Sequence, residues 1–209
     1  AVDENAANGT AVGVTESASD ADATTNAVTY SLTDNAGGRF GINATTGVVT
    51  VADGTLLDRE TAVSHNITVR ATSADGSTAD TVFTININDV NEFSVGAVTD
   101  TNAAVNTVAE DATIGTTVGI TAFASDADAT TNTVTYTLDS DAGGLFAING
   151  TTGIVTVAAG LDFETTTSHS ITVRATSVDG SFSTQAFTIN VTDVNESGVT
   201  AISDTDAAS

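Results

Sequence analysis

Lysine, proline, cysteine, methionine and tryptophan are all missing from this 209-residue chain. Without cysteine there is no disulfide framework, no thiolate metal site and no thiol nucleophile. Without lysine the only cations are Arg39, Arg59, Arg70 and Arg174, set against 27 acidic residues for a formal charge of −23. No basic patch can then neutralise phosphates or dock on anionic lipid, which excludes nucleic acid and membrane surfaces as partners. His65 and His169 are the only histidines, too few to make a zinc or histidine-dependent catalytic site easy to assemble. No run approaches the ~18 apolar residues of a membrane span. The start Ala1-Val2-Asp3-Glu4 has neither a charged n-region nor an apolar run, so it reads as no signal peptide. The expectation is a soluble piece of something longer.

What is present points to a packed β protein. Charged residues are only 15% of the chain and apolar ones 40%, so the acidity comes from missing cations, and a core can still form. Threonine is the commonest residue, at 41. β-Branched side chains lose χ1 freedom in helices and pack well on a pleated surface, and no stretch has the 3.6-residue period of a long helix.

The chain contains one unit twice. Ser19-Asp20-Ala21-Asp22-Ala23-Thr24-Thr25-Asn26 recurs as Ser125–Asn132, and Asp89-Val90-Asn91-Glu92 recurs as Asp193-Val194-Asn195-Glu196. The spacing shortens by two residues where the eight-residue Val51–Asp58 becomes the six-residue Val157–Asp162, a loop deletion of a kind that surfaces tolerate. Ala201–Ala207 copies Ala97–Ala103. The expected organisation is therefore a repeat over 1–94, a second over 95–198, and the start of a third over 199–209, cut from a tandem array.

Alternating runs separated by turn chemistry predict strands at 11–14, 27–32, 39–42, 47–52, 65–73 and 79–90 of the first copy. The sets Val48/Val49/Val51, Ile67/Val69/Ala71 and Val82/Phe83/Ile85/Ile87 are expected to face inward, with Phe40, Phe83, Phe146 and Phe187 as core aromatics. Phe123, Phe163 and Phe182 have no aromatic counterpart in the first copy. Asn43–Gly47 and Asn149–Gly153 supply turns in which glycine takes positive φ. Two antiparallel β-sandwiches in series follow. His65 and His169 are expected at strand ends or the surface.

Acidic residues gather at the ends of the units. Glu4, Asp58, Glu60, Asp89 and Glu92 fall at the C-terminal end of the first, and Asp126 and Asp128 at the N-terminal end of the second. Carboxylates brought together there would repel by ~4 kcal/mol per close pair at intermediate dielectric, so a cation should fill the junction. Carboxylate, asparagine and carbonyl oxygens suit Ca²⁺ better than softer metals.

Over essentially its whole length the chain resembles the cadherin repeat. The motifs fall in order: Glu4 or Glu110 near the start, Ala-Ser-Asp-Ala-Asp before the second strand, and Phe-x-Ile-Asn-x-Thr-Thr-Gly-x-Val. Leu57-Asp58-Arg59-Glu60 or Leu161-Asp162-Phe163-Glu164 comes next, and Asp-Val-Asn-Glu closes the unit. The resemblance implies an all-β fold of two tandem seven-stranded Greek-key sandwiches, immunoglobulin-like and cadherin-like, with calcium between repeats. Two ions would be held by Glu4, Asp58, Glu60, Asp89 and Glu92 with the Val90 carbonyl and Asp128. A third would take Asn91, Asp126, Asp128 and the carbonyls of Phe93 and Asn132. Partial end sites would use Asp20 and Asp22 at one end, and Glu110, Asp162, Glu164, Asp193, Asn195 and Glu196 at the other.

The chain also departs from the family pattern. Glu92 stands where the family has aspartate, and Ser73 and Ser177 stand where it has a calcium-binding aspartate. Asp75 and Asp179 follow two residues later, so the third ion would recruit Asp179. The family's N-terminal tryptophan exchange is not supported. The proline-free, threonine-rich copies look like the repeats of very large bacterial surface proteins and adhesins.

The implied role is a calcium-stiffened extender, extracellular at the cell surface or secreted, whose partners are the neighbouring repeats of the same chain. Direct adhesion, homophilic or to polysaccharide or another surface protein, is the alternative. Ice or mineral binding ranks last, because threonine lacks a short fixed period. The pairs Asp58/Glu60 and Asp162/Glu164 could imitate a glycosidase, but no cleft-forming insertion or stacking tryptophan accompanies them, so no enzyme is expected. Sequons such as Asn43 and Asn66 are expected by chance in a threonine-rich chain.

Overall fold

The structure, a computed structural model, describes residues 1–196 and 198. The expected opening of a third repeat at 199–209 lies outside the described residues. The chain divides into two compact units, Ala1–Phe93 with Ala127–Thr131, and Ser94–Asp126 with the chain from Asn132 onward.

The first unit holds β1 (Val2–Asp3), β2 (Ala11–Thr15), β3 (Val28–Asp34), β4 (Phe40–Ile42), β5 (Val48–Val51), β6 (Ser64–Ser73) and β7 (Thr78–Asn88). One sheet runs β1-β7-β6-β3 and the other β2-β5-β4. The long β6–β7 hairpin aligns Ile67 with Phe83 and Val69 with Thr81. Strict alternation along β6 buries Ile67 and Val69, and along β7 it buries Ile85 and Ile87. These pack with Val12, Phe40, Val49, Val51 and Leu57 in one core between the sheets. Burying each such side chain favours the fold by about 1.5–3 kcal/mol.

The second unit repeats the plan with β9 (Thr107–Ala109), β10 (Thr117–Phe123), β11 (Val134–Ser140), β12 (Phe146–Ile148), β13 (Ile154–Val157), β14 (Ser168–Ser177) and β15 (Phe182–Thr192), preceded by β8 (Thr99–Asp100). Its sheets run β11-β14-β15-β9 and β12-β13-β10-β8. The all-β, two-sandwich architecture is thus present, with seven strands in the first unit and, among the described residues, eight in the second. The short β1, which pairs parallel with β7 through Val2 and Ile87, is absent from the expected strands because two residues cannot show a period.

The turn motifs form as expected, and for a visible reason. Asn43 Oδ1 accepts the N–H groups of Thr45 and Thr46, each at 2.9 Å, and Asn149 does the same for Thr151 and Thr152. These Asx turns deliver Gly47 and Gly153 at φ +69° and +68°, the left-handed region that glycine enters without steric cost.

Two expectations are corrected. Val82 is 62% exposed, because the period of two that turns Phe83, Ile85 and Ile87 inward must turn Val82 outward. Val48 is half-buried on the same logic, opposite Val49, and Ala71 is also only half-buried. The histidines stand at strand ends as expected, each the second residue of its strand. His65 and His169 lie in β6 and β14 with ring centroids 6.4 Å from Phe40 and 5.7 Å from Phe146. Burial, with Arg39 nearby, holds the His65 imidazolium below its ordinary range. Phe40 and Phe146 are core residues, and Phe83 and Phe187 pack against the cores from the side. Phe123 and Phe182 are exposed, and the Arg174 guanidinium lies 4.0 Å above the Phe182 ring. Val82→Thr is expected to change unfolding free energy by no more than about 0.5 kcal/mol, against about 0.5–1.5 kcal/mol or more for the buried Ile85→Val in urea titrations.

Candidate metal centre

In the first unit the chain ends of three local motifs converge on Glu4. This residue follows β1, is 2% exposed, and is fixed from both sides. Its Oε2 accepts the Arg59 N–H at 2.5 Å and its Oε1 the Val90 N–H at 2.8 Å. Leu57, fully buried, anchors the next two ligand positions. Asp58 closes an Asx turn, its Oδ1 accepting the Thr61 N–H at 3.0 Å and its Oδ2 the Thr61 hydroxyl at 2.7 Å. One carboxylate oxygen from each of Glu4, Asp58 and Glu60 lies within 4.8 Å of the others.

The third motif starts where β7 ends. Asp89 Oδ2 accepts the Thr130 N–H at 3.0 Å and also its hydroxyl. The other oxygen, Asp89 Oδ1, is buried with no hydrogen-bond partner. Glu92 Oε1 accepts from Asn5 Nδ2 at 3.1 Å. Asp128, wholly buried, accepts the N–H groups of Glu92 and Phe93 on Oδ1 at 3.1 and 3.2 Å. Glu60 Oε1 accepts the Ala129 N–H at 2.8 Å. The predicted Glu4, Asp58, Glu60, Asp89, Glu92 and Asp128 therefore share one hydrogen-bonded neighbourhood, with the Val90 backbone tied into it. Asn91 and Phe93 follow on the same segment, which is exposed at both residues.

Arg59 does not neutralise this neighbourhood. Its Nη1 donates instead to the carbonyls of Ile87 at 2.8 Å and Val63 at 3.2 Å. The electrostatic signature is consistent with that. Partial burial, followed by the Glu4 charge, pushes the Glu60 carboxyl up from its ordinary value. Burial and then Glu4, Asp128 and Asp89 do the same to Glu92. Asp58 and Asp89 go the other way, held down first by hydrogen bonds from Thr61 and Thr130.

The second unit builds the matching end. Glu110, 4% exposed, accepts Phe163 N–H at 2.6 Å and Val194 N–H at 2.7 Å, which lower its carboxyl. Glu110, Asp162 and Glu164 again bring their oxygens within 4.8 Å. Asp193, Asn195 and Glu196 join Asp162 and Glu164 around a cavity of about 680 Å³. Burial, then Glu110 and Glu164, pushes Glu196 up.

A further acidic group stands at the other end of the first unit, where Asp20, Asp22 and Asp75 come within 4.8 Å. Ser73 Oγ donates to Asp20 at 2.5 Å and to the Thr25 carbonyl at 2.9 Å. Asp75 was not among the predicted ligands, although its counterpart Asp179 was. The signal that finds it is the same in both copies: a serine in the usual aspartate place and an aspartate two residues on, across a tight β6–β7 turn. In the second unit Asp179 Oδ1 accepts both the N–H and the hydroxyl of Ser181, at 2.7 and 2.8 Å. Asp126 is nearly buried and Asn132 exposed, both within that unit.

The donor set fits a hard divalent cation. It is all oxygen, it gathers several acidic groups, and among the described residues it leaves the buried Asp89 Oδ1 without a hydrogen-bond donor. Nothing in it resembles a nucleophile paired with a base.

Known proteins carry the same domain. The family model described as the cadherin domain matches residues 1–88 and again 105–192. Human protocadherin Fat 4 is 39% identical over 183 residues, covering 85% of this chain and 4% of the relative. The crystal structure of mouse cadherin-23 EC22–24 superposes with a TM-score of 0.75 at 28% identity, over 94% of this chain and 63% of that one. The protocadherin γB4 extracellular domain gives 0.74 at 25% identity, over 93% and 30%. The chain thus spans only a small part of the curated relative and less than two thirds of either solved structure. No helix among the described residues is long and apolar enough to cross a membrane.

Proposed function

This chain belongs to the cadherin-domain family, and from that premise we propose that it is a calcium-binding extender module of a large extracellular adhesion protein. Calcium would sit at the junction of consecutive repeats and fix one against the next, with the repeats taken as 1–94 and 95–198. Glu4, Asp58, Glu60, Asp89, Glu92 and Asp128 would hold it, with the Val90 carbonyl. Asn91, Asp126, the shared Asp128 and the carbonyls of Phe93 and Asn132 would complete a further site that recruits Asp179. Bound calcium would supply the positive charge that this chain lacks. Glu110, Asp162, Glu164, Asp193, Asn195 and Glu196 would do the same work toward a following repeat, and Asp20, Asp22 and Asp75 toward a preceding one.

The observation that carries this reading is the fixed convergence of Glu4, Asp58 and Glu60 beside a buried, unsatisfied Asp89 oxygen. Backbone N–H groups hold Glu4 in place before any ion arrives, which reduces the ordering cost of binding. The solved γB4 relative is an extracellular domain, which supports an extracellular setting with millimolar calcium. The relatives matched here are animal proteins, whereas the lack of lysine and proline favours a bacterial-type surface array.

Calorimetric titration of calcium into the metal-stripped chain is expected to show saturable binding that molar NaCl does not abolish. Affinity should fall as pH is lowered toward the raised carboxyls of Glu60 and Glu92, because protons then compete with the ion. The sign is opposite for the metal-free fold. A carboxyl whose folded pKa is raised binds protons more tightly when folded, so these two groups add stability as pH falls through that window. Absence of binding at millimolar calcium would sink the proposal.

A further inference from the structure

In the second unit β15 pairs with β14 over nine successive residue pairs, from Ser168 against Asn190 to Thr176 against Phe182, with the register unbroken. Ser177 N–H donates to the Ser181 carbonyl and Val191 N–H to the Thr167 carbonyl, each at 2.9 Å. Odd-numbered residues of β15 therefore exchange their backbone bonds with β14, and the N–H and C=O groups of the even-numbered ones face the other side. On that side β9 pairs with Asn190, Val191 and Thr192. Among the described residues, no strand pairs there with Phe182, Thr184, Ala186 or Thr188. The segment that precedes β9 leaves this edge uncovered, since Val95 and Val98 donate to the side-chain hydroxyls of Ser181 and Ser183. Gln185 Nε2 donates to the Ala186 carbonyl at 3.0 Å, a bond between adjacent residues of the same strand.

Edge strands are normally guarded by lysine, proline, a bulge or another charge, because an open row of backbone groups is a template for a further strand. This chain has no lysine or proline, and the run Phe182–Ile189 has no ionisable side chain. The first unit keeps a guard. Asp80 stands on β7 directly opposite Arg70 of β6 and binds its guanidinium at 2.7 and 2.8 Å. In the second unit Thr184 takes the place of Asp80. Arg174, the counterpart of Arg70, turns instead to Asp139 on β11 at 2.8 Å and lies over the exposed Phe182 ring. Asp139 stands where the first unit has Thr33. The acid that answers the arginine thus lies on the far side of β14, and the edge is left neutral in a chain of charge −23.

A neutral edge offers nothing to a partner recognised by charge. It is recognised through its backbone, and a second copy presents the same backbone without a charge to oppose it. We propose that β15 pairs antiparallel with β15 of a second copy, with Thr184 on the two-fold axis and Phe182 opposite Ala186. Phe182, Thr184 and Ala186 then exchange their outward N–H and C=O groups with those of the other strand, Gln185 releasing the Ala186 carbonyl. Thr188 stays outside this register, next to Asn190, where β9 already pairs. Phe182, 57% exposed, gains a cross-strand neighbour on its own face. The contact is isologous, so it closes as a dimer. The same register on β7 would set two Asp80 carboxylates directly opposite each other, which like charges disfavour. Antiparallel pairing runs the two second units in opposite directions, the arrangement that arrays meeting from facing surfaces require. The contact uses none of the calcium ligands proposed above and does not rest on that reading.

The test is sedimentation equilibrium of the 209-residue chain from about 10 µM to about 1 mM, a range chosen for a small and weak contact. At about 500 mM NaCl the weight-average mass should rise toward two chains and no further, in calcium and in EGTA alike. The dimer Kd should be at least about threefold lower there than at about 50 mM NaCl, because salt screens the repulsion between two acidic chains. Thr184→Asp, which restores the guard of the first unit, and Ala186→Pro, which removes an outward N–H, should each raise Kd by about tenfold or more. Ser170→Asp adds the same charge to the interior strand β14 and should leave Kd unchanged. Hydrogen exchange of the unaltered chain gives a readout that needs no variant: the Phe182, Thr184 and Ala186 amides should slow as concentration rises. Monomer mass at every concentration, assembly beyond two chains, a dimer that both edge variants retain, or no added protection of those amides would overturn the proposal. Association lost in EGTA would overturn it too, while leaving the calcium reading intact.

Discussion

Stripping calcium with EGTA is expected to lower the melting temperature of the first unit by about 10–20 °C relative to about 2 mM CaCl₂, with NaCl matched for ionic strength giving little of the effect. The size follows from mass action. An ion present at about a hundred times its Kd, binding only the folded state, adds nearly 3 kcal/mol for each site. A unit of this length moves its midpoint by about 4–8 °C per kcal/mol. Glu60→Gln separates a ligand from a merely structural residue, because it should act in opposite directions in the two buffers. Without calcium it removes one charge from a neighbourhood that already pushes Glu60 toward protonation, so the midpoint should hold or rise. With calcium the increment should shrink by several degrees. If the variant lowers both midpoints equally, Glu60 holds no ion. If NaCl at molar level reproduces the calcium effect, the carboxylates are only screened surface charge.

Gly153→Ala is expected to destabilise the second unit by roughly 3 kcal/mol or more, a magnitude reserved for strained backbone and broken packing. Its φ is +68°, and an added Cβ would stand 2.0 Å from the Ala122 carbonyl oxygen. The left-handed conformation alone costs about 1–2 kcal/mol for a residue with a side chain. The clash must then open the bond from Ala122 N–H to the Gly153 carbonyl, 2.9 Å long, which ties the turn to β10. Gly47 is its counterpart, at φ +69° with a Cβ 2.5 Å from the Glu16 carbonyl. Gly76 is the control: its φ is +91°, but an added Cβ meets nothing. Gly76→Ala should therefore show the conformational cost alone. Equal losses at Gly76 and Gly153 by denaturant titration would remove the close-approach argument.

Much of the fold is legible in the residues because its longest elements are locally periodic. The β6 and β7 runs alternate over ten or more residues, and one buried face fixes their register. The Asn-x-Thr-Thr-Gly turns carry their own chemistry in the Asn43 and Asn149 side chains. The failures share a cause as well. Val82 sits among apolar neighbours, so hydrophobicity suggested burial where the period of two denied it. β1 is two residues long, and its pairing with Ile87 and Asn88 lies far away in sequence.

The site divides along the same line. The sequence by itself determined the ligand types, their order, and the charge imbalance that asks for a cation, since Leu-Asp-Arg-Glu and Asp-Val-Asn-Glu are contiguous and lysine is absent. Only the tertiary structure decided that Arg59 turns its guanidinium to the Ile87 and Val63 carbonyls and away from the acids. It alone placed Glu4 between the N–H groups of Arg59 and Val90 and brought Asp75 beside Asp20 and Asp22. A motif specifies which atoms a short stretch can offer. Where those atoms point depends on backbone groups dozens of residues away, and these meet only when the two sheets close on their core.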